Sequence, residues 1–298
     1  MDERTALRML ADALPAAGDD AAVVEDLVVT TDMLHETTDF PAGTTRYTAG
    51  WRAVGASLSD VAAMGVPAVA AVAAYAAPRF DETELVDFVR GARDVAERVD
   101  ATYVGGDLDH HEEFTVATTA IGRRGDHDPV RRSGATPGDV VCVTGSLGRS
   151  AAGLRAFEAG SPDLGNDLFR FTPRVGAGER LAPHATAMMD SSDGLARSLH
   201  QLAEASGCGF AVDADRVPLT EELTSTVDAA EAWDLGVYFG EDFELVCTLP
   251  ERAVDDATAA LSDDEASLTP VGRVVDAESG VTVDDDPLPD RGYTHGRE

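Results

Sequence analysis

Lysine is absent from the sequence. All 23 basic side chains among the 298 residues are arginines, against 55 acidic ones, and the net charge is −32. A surface this acidic repels duplex DNA and anionic membranes, so we expect no nucleic acid and no membrane as a partner. The missing lysine also excludes the P-loop pattern GxxxxGK[ST] and the strand lysine of protein kinases. A bound nucleotide would need arginine, metal or backbone N–H groups at its phosphates.

Cysteine is scarce, and long apolar runs are missing. Cys142, Cys208 and Cys247 have no CxxC spacing, which argues against a disulfide framework and against a zinc site. The longest apolar run, residues 66–78, is short, rich in alanine and closed by proline. The first ten residues lack the basic and apolar segments of a signal peptide. We therefore expect a cytoplasmic protein.

The acidic residues follow two patterns. Most lie in runs or on the polar faces of helices, and we interpret them as halophilic adaptation, because dense surface charge keeps proteins soluble in high salt. A cation or a basic partner is the alternative interpretation. The second pattern is an aspartate that ends an apolar strand or interrupts an apolar helix, as at Asp19, Asp20, Asp32, Asp60, Asp107, Asp190 and Asp193.

Asp60 is the most informative of these aspartates, because it interrupts a stretch of small and apolar residues whose face should be buried. A buried carboxylate needs a hydrogen-bond network or a metal. Each site alone also fits a cap or turn residue: Asp193 could cap a helix, and Asp107 could hold a Gly-Gly turn. Together, carboxylate and threonine oxygens suit Mg²⁺, and a magnesium cluster indicates phosphoryl transfer.

Two other stretches could neutralise phosphates. VTGSLGRSAAG, residues 143–153, is a glycine turn between a strand and a helix, and it could cradle an anion or serve only as a tight connection. Arg131 and Arg132 could reach a phosphate, or they could belong to a solvated linker.

The periodicity predicts helices and strands in both halves of the chain, separated by a polar, arginine-rich stretch near residues 123–135. We predict an α/β protein of the α+β type with domains at residues 1–130 and 131–298. In the first half, the expected helices cover residues 44–65 and 81–99, and the expected strands cover residues 26–34, 68–76, 101–107 and 113–123.

The motifs, taken in order, resemble the thiamine-monophosphate kinase family of the aminoimidazole ribonucleotide synthetase superfamily. The resemblance runs from about residue 18 to the C-terminus. It is carried by GDDAA, TTDMLHETTDF, SLSDVAAMG, VGGD, RRSGATPGDVVCVTGSLGRSAAGL, DSSDGLARSL and GEDFELVCTLP. It implies the two-domain aminoimidazole ribonucleotide synthetase-like (PurM-like) architecture, with ATP in the cleft. It also implies an N-terminal sheet that forms the core of a homodimer.

The resemblance implies the reaction and its residues as well. The family transfers the γ-phosphoryl group of ATP to thiamine monophosphate, the last step of thiamine diphosphate biosynthesis, with several Mg²⁺ ions; a role for K⁺ stays open. By motif, the metal ligands would be Asp20, Thr30, Thr31, Asp32, Asp60, Asp107, Asp190 and Asp193. The ATP contacts would be Gly106, Asp107, Arg132 and Ser192, and the thiamine contacts would be Asp39, Glu241 and Tyr293.

Two positions depart from the family pattern. Asp39 stands where the family usually has a histidine that contacts substrate, which puts this contact in doubt; His35 is close in sequence and could replace it. Tyr293 stands where tryptophan is more common, and either ring can stack on a thiazolium or a pyrimidine.

The acceptor in this reaction is itself a phosphate with a second pKa of about 6, so it needs no general base. The obstacle is the repulsion between two phosphates, which metal ions would relieve. We therefore expect direct in-line transfer, with no residue acting as a covalent nucleophile or general base.

Competing assignments stay open at this point. Within the superfamily they are aminoimidazole ribonucleotide synthetase, selenophosphate synthetase, which usually has an N-terminal cysteine, and the hydrogenase-maturation dehydratase, which ends in a cysteine. This sequence has no cysteine before Cys142 and ends in HGRE. From another class, a cation- or nucleotide-binding protein without catalysis would bind metal but release no ADP.

Overall fold

The computed structural model describes residues 14, 18–261 and 266–292, and it contains two mixed α/β halves. The elements of the first half are β1 (Ala22–Val24), β2 (Leu27–His35), α1 (Glu36–Asp39), α2 (Arg46–Ala63), β3 (Ala68–Ala77), α3 (Glu82–Arg98), β4 (Thr102–His110) and β5 (Thr115–Arg123). The strands form one sheet in the order β1-β2-β5-β3-β4, in which β3 and β4 run parallel and the other pairs run antiparallel.

One face of this sheet is covered and the other is open. Along β5, Val116, Thr118 and Ala120 are buried, and Thr118 donates a hydrogen bond to a backbone oxygen of α2. Because side chains alternate along a strand, the residues between them belong to the opposite face. On that side Met33 of β2 is 55% exposed and Val104 of β4 is 62% exposed. The covered face therefore carries a core, whereas the opposite face presents apolar side chains.

The second half is built on a larger sheet, with strand order β12-β11-β8-β10-β6-β9-β7. Its strands are β6 (Val140–Thr144), β7 (Ala187–Asp190), β8 (Gly209–Val212), β9 (Leu245–Leu249), β10 (Leu268–Val275), β11 (Val281–Val283) and β12 (Asp286–Pro287). Its helices are α4 (Arg149–Glu158), α5 (Pro162–Phe169), α6 (Val175–Leu181), α7 (Leu195–Ser206), α8 (Glu221–Thr224), α9 (Ala229–Tyr238) and α10 (Val254–Ala260).

Helix α2 joins the two halves. It begins after Thr45, whose side chain accepts a hydrogen bond from the backbone of Thr48, and it ends before Gly65 and Pro67. Small residues fill most of its length, so it is buried on several faces. Ser59 donates a hydrogen bond to Asp190 of β7 over 2.6 Å. This helix therefore connects the first sheet to the site-bearing end of the second.

The predicted two-domain architecture is confirmed, and so are both expected helices of the first half. The first sheet ends at Arg123 and the second begins at Val140. The boundary between residues 130 and 131 stays a prediction. Among the described residues, no helix combines the length and hydrophobicity that a membrane span requires.

Candidate active site

Three carboxylates converge where the two halves meet. Asp20 precedes β1, Asp60 lies near the end of α2, and Asp190 ends β7. Each offers an oxygen, and these oxygens all lie within 4.8 Å of one another. Asp190 is 1% exposed and the Asp20 side chain is fully buried, while Asp60 is half-buried. We call these three residues the acid cluster.

Hydroxyl groups from the first half orient Asp60, Asp190 and the neighbouring Asp32. Thr30 donates a hydrogen bond to Asp60, and Ser59 donates one to Asp190. Ser57 donates one to Asp32 over 2.6 Å. Because Ser57, Ser59 and Asp60 all lie on α2, one helix supplies an acid of the cluster and also the donors to Asp32 and Asp190.

The electrostatics of the acid cluster favour a bound cation. Burial raises the pKa of Asp60 well above its ordinary value, and the charges of Asp32, Asp190 and Asp20 raise it further. Burial and then the charge of Asp20 raise the pKa of Asp190 to about 7. Burial also raises the pKa of Asp32. Carboxylates this close stay charged together only when positive charge lies among them.

Arg132 supplies part of that positive charge. Its guanidinium donates two hydrogen bonds to Asp20, over 2.9 and 3.2 Å, and the neighbouring Arg131 pairs with Asp19 over 2.5 Å. Burial lowers the pKa of Arg132, but the charge and hydrogen bonds of Asp20, together with the charges of Asp190 and Asp60, outweigh burial, so the pKa lies above its ordinary value. The two arginines therefore contact the acids of the GDDAA motif. These contacts do not fit the alternative interpretation, in which both arginines belong to a solvated linker.

Other predicted ligands lie apart from the acid cluster. Thr31 follows Thr30, which bonds to Asp60, so alternation places it on the opposite face, where it donates a hydrogen bond to the Thr118 carbonyl. Gly106 and Asp107 lie on β4, at the far edge of the sheet from β1. Asp107 is exposed within a strand, so the turn role considered for it is wrong.

The DSSDG turn holds two further predicted residues. The Ser192 backbone N–H points to Asp190 at 3.4 Å, and its carbonyl accepts a hydrogen bond from the Glu241 backbone over 2.7 Å. The N-cap of helix α7 is Gly194, so Asp193 lies one residue before the capping position. Asp193 is half-buried in the same turn.

The predicted substrate contacts have partners within the protein. Asp39 is buried, and its carboxylate accepts hydrogen bonds from the His35 backbone over 2.6 Å and from Thr38 over 2.9 Å. Glu241 accepts a hydrogen bond from buried Arg52 over 2.8 Å. Tyr293 lies outside the described residues.

The glycine turn at residues 143–153 is already occupied by a carboxylate. Asp242 accepts hydrogen bonds from the backbone of Gly148 over 2.6 Å and of Ser150 over 2.9 Å. Burial raises the pKa of Asp242 to about 7. The turn therefore anchors the GEDFE segment, and these two N–H groups are not available to a phosphate.

The sequence analysis missed the residues that support the site. Ser57 and Ser59 position carboxylates, Arg52 contacts Glu241, and Arg174 donates two hydrogen bonds to Glu244 over 2.6 and 2.7 Å. The available signal was the one used for Asp60: a charged or polar residue in a stretch of small apolar ones, as at Arg52 in WRAVGASLSD.

Comparisons with known proteins give the family of the chain. Residues 18–124 match the family model described as AIR synthase related protein, N-terminal domain, and residues 136–285 match the corresponding C-terminal domain. A thiamine-monophosphate kinase from Halobacterium salinarum is 60% identical over 295 residues, which cover 99% of this chain and 100% of the relative. The chain belongs to the thiamine-monophosphate kinase family.

Solved structures of that family are similar throughout. A thiamine-monophosphate kinase from Stenotrophomonas maltophilia has a TM-score of 0.82 and 32% identity, covering 95% of each chain. A structure described as AaThiL complexed with AMPPCP and TMP has a TM-score of 0.88 and 27% identity, covering 99% of this chain and 97% of that one. Hydrogenase maturation proteins at 20–21% identity share the fold.

Proposed function

We propose that the protein transfers the γ-phosphoryl group of ATP to thiamine monophosphate at the acid cluster, giving thiamine diphosphate and ADP. The convergence of Asp20, Asp60 and Asp190 within 4.8 Å carries the proposal. Membership in the thiamine-monophosphate kinase family supplies the substrates, and the similar structure described with AMPPCP and TMP supports an ATP-like ligand and a thiamine phosphate together.

The donor set fits Mg²⁺. Asp20, Asp60 and Asp190 offer hard oxygen atoms, Thr30 is hydrogen-bonded to Asp60, and Asp32 is close enough for its charge to act on Asp60. Burial and neighbouring negative charge raise the pKa values of Asp60 and Asp190, and a bound cation would stabilise their charged forms. When bound there, Mg²⁺ would offset the charge of the two phosphates that must meet.

The protein's own groups would bind and orient the phosphates. Arg132 is the arginine at the acid cluster that could turn from Asp20 to a phosphate oxygen. All three cysteines are free and buried, and burial raises the pKa of Cys142 to about 12, so this thiol is not a nucleophile at neutral pH. Together with an acceptor that is already anionic, this supports direct in-line transfer without a covalent enzyme intermediate.

A second copy of the chain would complete the site. In the sheet register, Asp107 aligns with Ala74, Ala117 and then Met33, so it lies three strand spacings, about 14 Å, from β2. Within one protomer Asp107 is thus remote from Thr31. The apolar open face, with exposed Met33 and Val104, fits a second copy, whose β4 would bring Asp107 of the partner subunit beside β2.

The shared site has a direct test by subunit mixing. Asp60→Asn and Asp107→Asn should each be inactive alone. After subunit exchange, mixed dimers have one site with both substitutions and one intact site. About a quarter of wild-type activity per protein should return, because half of randomly formed dimers are mixed. No recovery after demonstrated exchange would contradict a contribution from the partner.

The reaction itself is tested by ADP release in high KCl with ATP, Mg²⁺ and thiamine monophosphate, beside free thiamine. Release should require the monophosphate and should fall at least about 100-fold in Asp60→Asn. Asp126→Asn, which removes an exposed carboxylate, is the matched control and should keep its activity. Metal binding without ADP release by the folded wild-type protein would favour a cation-binding protein.

We also propose a cytoplasmic, salt-adapted protein. Three free cysteines fit a reducing compartment, and a net charge of −32 fits high salt. The 60% identical relative from Halobacterium salinarum supports the same conclusion.

A further inference from the structure

Arg52 is an unusual residue in this acidic chain, because its charge is buried at the junction of the two halves. Its side chain is 2% exposed, and it lies on α2, eight residues before Asp60. An arginine held this far from water is tolerated only where partners satisfy its charge and its N–H groups.

Among the described residues, its hydrogen-bond and ring partners come from the second half. The guanidinium donates hydrogen bonds to the Phe169 carbonyl over 3.0 Å, to Ser150 over 3.2 Å and to the Glu241 carboxylate over 2.8 Å. It also lies over the ring of Phe169, 4.4 Å from the centroid, with Phe243 at 5.6 Å. The carboxylate of Glu241 is the group that balances its charge.

The segment that Arg52 contacts is held in an uncommon conformation. Glu241 and Phe243 have φ values of 59° and 54°, the left-handed region that L residues rarely adopt. Such residues persist when their surroundings fix them, and they cluster at ligand sites. Here Ser150 and Arg52 both donate to the Glu241 carbonyl, over 2.6 and 3.3 Å, and Phe243 stacks on Phe171 at 4.3 Å.

One helix therefore links two parts of the proposed reaction. Asp60 belongs to the acid cluster, where the phosphates would meet, and Arg52 holds Glu241, the proposed thiamine contact. Eight residues of α-helix span about 12 Å, and a helix packed between two sheets does not change this spacing. The contact between Arg52 and Glu241 therefore also sets the distance between Glu241 and the acid cluster.

We infer that Arg52 is a positioning residue that holds the Glu241 carboxylate for the thiamine moiety and thereby sets which acceptor fits between Glu241 and the acid cluster. This inference rests on the proposed function. Its described hydrogen bonds go to Phe169, Ser150 and Glu241 and not to the acid cluster, so we expect its effect on acceptor binding and not on ATP binding or phosphoryl transfer.

The test compares Arg52→Met, Arg52→Lys and Glu241→Gln with wild type in high KCl. Arg52→Met should raise the KM for thiamine monophosphate about 10- to 100-fold, with less than about a threefold change in the KM for ATP. Arg52→Lys keeps the charge and should recover most of the loss. The double variant Arg52→Met/Glu241→Gln should be no worse than the poorer single variant, because the two residues act as one unit.

Arg46→Met is the matched control. Arg46 lies on the same helix, pairs with Glu36 over 2.7 Å and lies 4.1 Å from the Phe114 ring centroid, so its contacts belong to the first half and not to Glu241. It should leave the KM for thiamine monophosphate unchanged. An equal rise in Arg46→Met, equal rises in both KM values, or additive effects in the double variant would overturn the inference.

Two readouts separate this inference from the proposed function. Wild-type ADP release with thiamine monophosphate tests the function alone. Calorimetric titration with thiamine monophosphate tests Arg52 without turnover, and its Kd should rise in parallel with the KM. If Arg52→Met does not fold, Glu241→Gln still decides: wild-type affinity for thiamine monophosphate in that variant would refute the inference.

Discussion

Replacing Asp190 by asparagine should stabilise the metal-free protein even though it removes activity. Asp190 is 1% exposed and belongs to the acid cluster, where its carboxylate lies beside those of Asp20 and Asp60, and Arg132 is the cation that pairs with Asp20. Without bound metal, the Asp190 carboxyl group of the folded protein is therefore either charged, which costs free energy, or protonated. Asparagine keeps a similar shape and removes the charge.

The size of the effect follows from the pKa of Asp190. Burial and Asp20 raise it from its ordinary value of 3.8 to about 7. Because the unfolded chain loses this proton first, Asp190 lowers the free energy of unfolding as the pH rises from about 4 to 7, by up to about 4 kcal/mol above that range. Asp190→Asn should therefore gain about 2 to 4 kcal/mol at pH 8 and little at pH 4.

Urea denaturation in 2 M KCl with a chelator, at pH 5 and pH 8, measures this difference. Asp126→Asn, an exposed control, should shift the free energy of unfolding by less than about 0.5 kcal/mol. Added Mg²⁺ should stabilise the wild-type protein more than Asp190→Asn. If the variant is no more stable than wild type at pH 8, or if its gain is the same at pH 5, the repulsion argument is wrong.

Three further predictions follow from the structure. A Cβ on Gly106 would lie 1.7 Å from the Ala73 carbonyl oxygen, so Gly106→Ala should cost about 2 to 4 kcal/mol in urea denaturation; wild-type stability would refute this close approach. Met33→Glu, on the open face, should give monomers in sedimentation velocity, whereas persistent dimers would place the interface elsewhere. Because salt screens a net charge of −32, the melting temperature should rise steadily from 0.1 to 2 M KCl; a flat response would contradict salt adaptation.

The first half of the fold was predictable because its patterns are local and strong. Residues 44–65 have helical spacing and end at a glycine, and the structure has a helix at Arg46–Ala63. The helices at Pro162–Phe169 and Val175–Leu181 were missed because this segment contains several glycines and prolines, which are typical of loops. Packing against the rest of the protein decides such segments, and sequence periodicity does not report it.

The acid cluster was predictable for a different reason. Asp20, Asp60 and Asp190 each stand beside apolar or small residues, where a surface role is unfavourable, and the structure brings them together. Asp107 met the same criterion, but it lies at the far edge of its sheet. Sequence periodicity does not reveal strand order, so this position could not be predicted. The contact between Asp242 and the glycine turn could not be predicted from the sequence, because 94 residues separate Asp242 from Gly148.

The central claim is that phosphoryl transfer between two bound phosphates needs no covalent step on the protein. A single-turnover reaction with ATP labelled at the γ-phosphate tests it most directly, with the label followed in thiamine diphosphate and in acid-precipitated protein. We predict label in thiamine diphosphate from the earliest time point, none on the protein with or without thiamine monophosphate, and neither product in Asp60→Asn. Labelled protein that forms with ATP alone and passes its label to thiamine monophosphate would contradict direct transfer.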